Sequence, residues 1–287
     1  MSGSAPSDNH SSRLRYNLFT TMPASLDQIV AATRRKLAET RNSADRRELE
    51  RQAERHVPRG FRRALESKAR SGPAVIAELK KASPSRGLIR ADFDAGELAT
   101  ELESAGAAAL SVLTDAEFFQ GSLHNLQLAS GATELPCLRK DFIVDEFQLL
   151  EARAHGADAV LLIVAALLPV EINRLAKQAR AHDLDVLCEV HDERELQLAA
   201  DGGFDLIGVN SRDLRTFHVD LETAFRLVER IPSTALRVAE SGIHNAADIA
   251  RLRAAGYHAF LIGESLMKAK APGEALRELL VTNPVAL

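Results

Sequence analysis

Cysteine is scarce in this chain, two residues in 287, and tryptophan is absent. Two cysteines cannot build a disulfide framework, and no CxxC pair offers a zinc or redox site. A reducing cytoplasm fits such usage. Long apolar runs are missing too. The best stretch, Ala157 to Val170, is short and carries Asp158, which suits a buried strand rather than a membrane span. The opening residues, MSGSAPSDNHSS, are small and polar and lack the apolar centre of a secretory signal; residues 1–25 read as a flexible tail. Neither charge dominates: 36 basic against 40 acidic residues give a net −4, which argues against coating nucleic acid through a global field. The nine histidines show no metal-ligand spacing. What is present is an ordinary globular composition, 46% hydrophobic and 26% charged. That excludes a disordered or collagen-like chain, and the length suits an α/β barrel, which occupies about 250 residues as one unit.

Residues 26–72 read as a helical extension rich in arginine. Between Arg34 and Arg70 stand thirteen Lys/Arg and six Asp/Glu, a local +7. A nucleic-acid or membrane-surface arm would use such charge. Single-strand binders, however, interleave aromatic platforms with their cations, and here acids (Glu48, Glu50, Glu54) interleave instead. The favoured reading is a pair of solvated helices with Leu26, Ile29, Val30, Leu37, Phe61 and Leu65 facing inward. No nucleic acid and no membrane are expected as partners.

After Gly72-Pro73 the texture changes. Short runs rich in Val, Ile and Leu alternate with amphipathic segments. The runs are Ala74–Lys80, Ala109–Thr114, Pro136–Lys140, Ala159–Val164, Asp185–Val190, Leu206–Asn210, Leu236–Glu240 and Ala259–Gly263. Between them, helix-like stretches such as Asp94–Ala105, Val170–His182 and Asn245–Ala255 close at Gly106, Gly156, Gly202 or Gly256. Near-continuous apolar strands alternating with helices mark a parallel sheet covered by helices. Eight units, with no G-x-G-x-x-G after the first strand, favour a closed TIM (β/α)8 barrel over an open dinucleotide-binding sheet. Residues 73–287 are therefore expected to form an α/β barrel, one domain with its extension.

Barrel chemistry sits at the C-terminal ends of the strands. Polar residues stand there where apolar filling is expected: Glu78 and Lys80 on strand 1, Lys140 on strand 3, Glu189 on strand 5, Asn210 with Arg212 on strand 6, Glu240-Ser241 on strand 7. Ionisable groups resist burial unless paired, so a cluster on one rim is either mutually satisfied or functional. Such lysines and glutamates suit proton transfer. Ser241-Gly242 and Gly263-Glu264-Ser265, after strands 7 and 8, occupy the usual phosphate cradle of barrels. The Lys81–Gly87 loop, with Ser83 and Arg86, is a third phosphate candidate, although its composition alone suits an ordinary turn. Phe118-Phe119 and Phe142 are rim groups able to clamp a ring or pack a lid. Cys188 should face the helices and Cys137 the far end, so neither reads as a nucleophile. His191 is the one histidine near the site.

The stretches AELKKASPSRGLI, LSVLTDAEFFQGS, LPCLRKDFIVDEFQLLEARAHGADAVLLI, CEVH, IGVNSRDLRTF, AESGI and LIGESLM resemble the indole-3-glycerol-phosphate synthase family from about Arg55 to Lys268. The resemblance implies ring closure of 1-(o-carboxyphenylamino)-1-deoxyribulose 5-phosphate, with loss of carbon dioxide and water, in tryptophan biosynthesis. It implies a carboxy-lyase of the monofunctional form, without metal or organic cofactor. By the same resemblance Lys140 is the general acid, Glu189 the general base and Lys80 a second substrate-contacting lysine. Glu78, Asn210, Glu240 and Ser241 orient these groups or bind substrate, Arg212 lies near the anthranilate, and Phe119 and Phe142 are apolar contacts. Ser83, Gly242, Gly263 and Glu264 fall where phosphate binds or the mouth is lined, Glu264 through its backbone N–H alone. Ser211 departs from the pattern, standing where many relatives carry asparagine. The partner is thus a phosphosugar-anthranilate small molecule, and a monomer or weak homo-oligomer is expected. A Schiff-base aldolase with Lys140 as nucleophile, another phosphosugar lyase or isomerase, and a silent barrel binding an anionic partner are the rival readings.

Overall fold

The computed structural model describes residues 25–281. The expected flexible tail lies, but for Ser25, outside the described residues. Eight parallel strands close into a barrel: β1 Ala74–Leu79, β2 Ala109–Leu113, β3 Cys137–Lys140, β4 Ala159–Ile163, β5 Asp185–Val190, β6 Leu206–Asn210, β7 Leu236–Glu240 and β8 Ala259–Ile262. Each strand pairs with its sequence neighbours, and β1 closes the ring on β8 with Ala74 opposite Ala259. The expected strands are all present. β1, β2, β4 and β8 end one residue early, and β3 starts after Pro136, which has no N–H to give a ladder.

Period-two alternation sorts the strand residues into two cores. Val75, Ala77 and Leu79 of β1, Val160 and Leu162 of β4, and Cys188 of β5 pack outward under the helices. Ala74, Ile76, Leu138, Leu161, Leu187, Val238 and Leu261 fill the barrel interior. Both cysteines are free, buried and on the outer core. Burial pushes the Cys137 thiol up to about 12 and raises that of Cys188 as well, so neither is a thiolate at neutral pH.

Helix starts follow local chemistry: Asp94, Asp192 and Asn245 each cap the helix that follows, accepting backbone N–H bonds. Gly106, Gly156 and Gly256 adopt left-handed backbone after their helices, but after the helix Glu193–Asp201 that role falls to Gly203 (φ 69°) rather than Gly202.

The extension forms three helices, not the expected pair: α1 Leu26–Ser43, α2 Arg46–Arg55 and α3 Phe61–Ala69. Asp45 starts a fresh helix at a second cap, and His56–Gly60 breaks the path again. Phe61 and Leu65 are fully buried and plug the N-terminal end of the barrel. Ile29 is buried, while Val30 and Leu37 are partly buried against the outer core. Six of the thirteen basic residues between Arg34 and Arg70 pair with acids. Arg59 binds Asp158 at 2.7 Å and donates to the carbonyls of Ser130, Thr133 and Gly156, which ties the extension to the barrel floor. Arg34 meets Glu171, Arg41 meets Asp145 and Arg62 meets Glu66. Part of the local positive charge is therefore spent on contacts within the chain, which tie α1 and the α2–α3 link to the barrel.

Candidate active site

Along the inward face of five of the eight strands, apolar residues or glycine give way to a polar one at the C-terminal end. Ile76 is followed by Glu78, Leu138 by Lys140, Leu187 by Glu189, Gly208 by Asn210 and Val238 by Glu240. These ends meet in one mouth, around a cavity of about 230 Å³. The site residues expected from the resemblance all line it: Glu78, Lys80, Ser83, Phe119, Lys140, Phe142, Glu189, Asn210, Arg212, Glu240, Ser241, Gly242, Gly263 and Glu264. Phe118 does not, and the histidine that lines the mouth is His244, on the loop after β7, while His191 stands behind Glu189.

At the centre, the Lys140 ammonium lies 2.7 Å from Glu189 Oε2 and 3.0 Å from Glu240 Oε2. Both carboxylates are almost wholly buried. Burial disfavours the charged lysine, but Glu189, Glu240 and Glu78 outweigh it and hold Lys140 above the usual amine range. Burial likewise pushes Glu189 up, but Lys140 and His191 reverse it and hold the carboxylate well below its ordinary range. Glu240 goes the other way: burial, with Glu189 as a like charge and Lys140 opposing, raises it to about 8. The two acids are thus driven apart, Glu189 toward the carboxylate and Glu240 toward its protonated form. Lys80 pairs with Glu78 at 2.5 Å, a second amine–acid couple on the same rim.

Two glycines make room for these acids. A Cβ on Gly208 would lie 2.1 Å from Glu240 Oε1, and one on Gly263 would lie 2.4 Å from Glu78 Oε1. Neither has positive φ, so space rather than backbone freedom requires glycine.

The rim carries the rest. Phe119 and Phe142 stand with ring centroids 6.3 Å apart, tilted by 39°. Asn210 Oδ1 accepts the Arg212 backbone N–H. Ser241 (φ 65°) and Gly242 (φ 76°) are consecutive residues of positive φ. For a serine that conformation costs about 1 kcal/mol or more. Residues Ala82–Ser83 and Gly87–Leu88 pair as a small hairpin over the mouth. Gly263 leads into the short helix Glu264–Lys268, whose first turn no side chain caps. The Glu264 carboxylate turns into the mouth, 3.1 Å from Arg86 and 3.5 Å from Arg212, and also pairs with Lys268. Ser211 is buried, and its hydroxyl has no partner among the described residues. No cluster of three His, Cys, Asp or Glu able to hold a metal occurs among the described residues.

A sequence model described as indole-3-glycerol phosphate synthase matches residues 26–279. The chain is 61% identical over 259 residues to the indole-3-glycerol phosphate synthase of Koribacter versatilis, covering 90% of this chain and all of that one.

The chain belongs to the indole-3-glycerol phosphate synthase family.

The synthase of Leptothrix cholodnii is 48% identical, over 88% of this chain and 98% of its own. Among solved structures, 3-hexulose-6-phosphate synthase (TM-score 0.58, 16% identity) covers 72% of this chain and 97% of that one. A thiamine phosphate pyrophosphorylase from Pyrococcus furiosus (TM-score 0.55, 18% identity) covers 72% and 93%. These two share the barrel alone. For a member of the synthase family, the mouth holds some residues that sequence reasoning passed over. Gly208 is one; a lone glycine inside an apolar strand was its signal. Leu26 and Ile29 of α1 line the cavity rather than serving only as core. Glu195, which accepts from both the backbone N–H and the ring of His191, had no signal beyond its i+4 spacing.

Proposed function

We propose that this chain carries out the family reaction with the residues of this mouth: 1-(o-carboxyphenylamino)-1-deoxyribulose 5-phosphate closes to indole-3-glycerol phosphate. The observation that supports it most is Lys140 seated between Glu189 and Glu240 beside a second amine–acid couple. The ring carbon bearing the carboxylate attacks the ketone carbon, and Lys140 gives its proton to the ketone oxygen, which becomes a hydroxyl. A developing alkoxide is more basic than an amine, so even a strongly held ammonium donates to it. The carboxylate leaves as carbon dioxide and its electron pair restores the aromatic ring. Lys80 protonates the new hydroxyl, which departs as water, and takes its proton back from solvent, while Glu189 takes a proton from the methylene carbon on nitrogen. Glu189 then returns that proton across the 2.7 Å contact to Lys140, which resets the pair. Holding both reacting carbons in one compact pose supplies a large share of the advantage.

Phosphate is assigned to the backbone at Ser241 and Gly242, the backbone at Gly263 and Glu264, and Ser83 with Lys80. The anthranilate is assigned to the Phe119–Phe142 pair, with Arg212 at its carboxylate; Asn210 and Glu78 orient the lysines. The aldolase reading is disfavoured, because a Schiff-base lysine needs a free amine and Lys140 is held charged by two acids. Residues 26–281 are read as one folding unit, supported by Phe61 and Leu65 inside the barrel floor. No helix among the described residues is long and apolar enough to cross a membrane. A cytoplasmic location and a monomer or weak homo-oligomer complete the reading; two buried free thiols support the former.

The test is turnover of the carboxyphenylamino-deoxyribulose phosphate by purified protein, followed by the indole chromophore. Lys140→Ala should lower kcat by about 10²–10⁴, the range of a general acid, with KM within about tenfold. Intact kcat with collapsed affinity would make Lys140 a binding residue only.

A further inference from the structure

His191 directly follows β5 and is the next inward position after Glu189. Its side chain is 12% exposed and lies between two acids. Ring Nδ1 sits 2.9 Å from Glu195 Oε2, and the same oxygen accepts the His191 backbone N–H at 2.8 Å. Glu195 is itself fixed in the first turn of the helix Glu193–Asp201, where its own N–H is held by Asp192. On the other side, ring Nε2 stands 3.3 Å from Glu189 Oε1, out of line for a hydrogen bond and otherwise without a partner. Glu189 is therefore flanked twice: Lys140 on Oε2, His191 on Oε1.

This matters at one moment in the proposed reaction. Once Lys140 has given its proton to the ketone oxygen, Glu189 loses its ammonium counter-charge while still buried beside Glu240. An isolated carboxylate in that setting would be driven to take up a proton, and the base would be spent before the substrate methylene reaches it.

We propose that His191 is a positioning residue: an imidazolium anchored by Glu195 that keeps Glu189 ionised and oriented after Lys140 has discharged. The inference rests on the proposed catalytic roles of Lys140 and Glu189. The surroundings favour the charged ring. Burial works against it, but the charges of Glu189 and Glu195 outweigh burial and hold His191 above its ordinary value. Asp213, beyond β6, adds a further acid that senses the ring. The one-turn helix Val164–Ala166 packed against this region brings no charged group, and Lys140 acts on the far oxygen of Glu189.

The test has two arms. In the first, the His191 imidazole is followed by NMR in the folded wild-type protein. It should stay protonated from pH 6 to 8.5; a midpoint in the ordinary histidine range, about 6.5, overturns the proposal whatever the activity shows. In the second, His191→Gln should lower kcat at least about tenfold with KM little changed. It should also move the acidic limb of the kcat profile upward by about 1 pH unit or more, as expected when an adjacent opposite charge is lost. Glu195→Gln should move the same limb in the same direction, by less. A purely structural histidine would leave that limb in place, and an unmoved limb overturns the proposal. If His191→Gln does not fold, Glu195→Gln and the NMR arm decide. If the wild type makes no indole product, the assigned reaction fails, and the NMR arm still judges the imidazolium.

Discussion

Gly208 is the most exacting test of the Lys140 centre, because it touches neither substrate nor lysine. Its backbone is ordinary, so Gly208→Ala strains nothing by conformation. The new methyl would start 2.1 Å from Glu240 Oε1, where ordinary contact begins near 3.4 Å, and 3.2 Å from Leu187 Cδ1. The carboxylate must retreat by more than an ångström, and its other oxygen is the one holding Lys140 at 3.0 Å. Displacement on that scale costs about 10²-fold in rate when it reaches the reacting groups. Overpacking adds about 1–3 kcal/mol of destabilisation. Expected, then, is a kcat lowered about 10- to 100-fold with KM within a few-fold, read as the rate of indole formation under saturating substrate. Glu240→Asp, shorter by one methylene, should be less damaging in the Gly208→Ala background than in the wild type. The double-mutant cycle should be clearly non-additive. Wild-type turnover in Gly208→Ala, or losses that simply multiply, would refute the reasoning.

Glu240, raised to about 8, carries a proton at neutral pH and loses it as pH climbs through that value. The added negative charge tightens the grip on the Lys140 proton, so kcat should fall above about pH 8 in the wild type, and Glu240→Gln should lack that limb. Asp158, at 1% exposure, accepts from the Arg59 backbone N–H, its guanidinium and the Cys137 N–H. Asp158→Ala leaves the largely buried Arg59 guanidinium without its counter-charge, though still bonded to the carbonyls, and two backbone N–H groups without an acceptor; it should cost about 3–5 kcal/mol in urea unfolding, and a loss below about 1 kcal/mol would dismiss the clamp. Glu264→Gln releases Arg86 and Arg212 and removes a negative charge from the phosphate side of the mouth. Inhibition by inorganic phosphate should strengthen by about three- to fivefold, the ~1 kcal/mol ceiling of a partly exposed charge contact.

Much of the site was legible because barrels obey a simple rule. With strands at 74–79, 137–140, 185–190, 206–210 and 236–240, period-two alternation alone sends Glu78, Lys140, Glu189, Asn210 and Glu240 to one end. The illegible parts depend on distances that alternation does not carry. The sequence shows three glutamates near two lysines, but not which acid shares which amine; that Glu189 and Glu240 both hold Lys140 while Glu78 holds Lys80 is decided by the closed barrel. It shows Glu264 beside a phosphate position, but not that its carboxylate turns inward to meet Arg86 from another loop.

What the chain alone determined was its periodicity: eight apolar runs with polar ends, helix caps at Asp94, Asp192 and Asn245, and breaks at glycine. These are local properties, set by each residue and its near neighbours. What only the tertiary structure decided was pairing across the ring and through the extension. Arg59 finds Asp158 across 99 residues and Lys140 finds Glu240 across 100. Charge is a long-range quantity whose value depends on what surrounds it, and in this protein the surroundings are assembled only when the barrel closes.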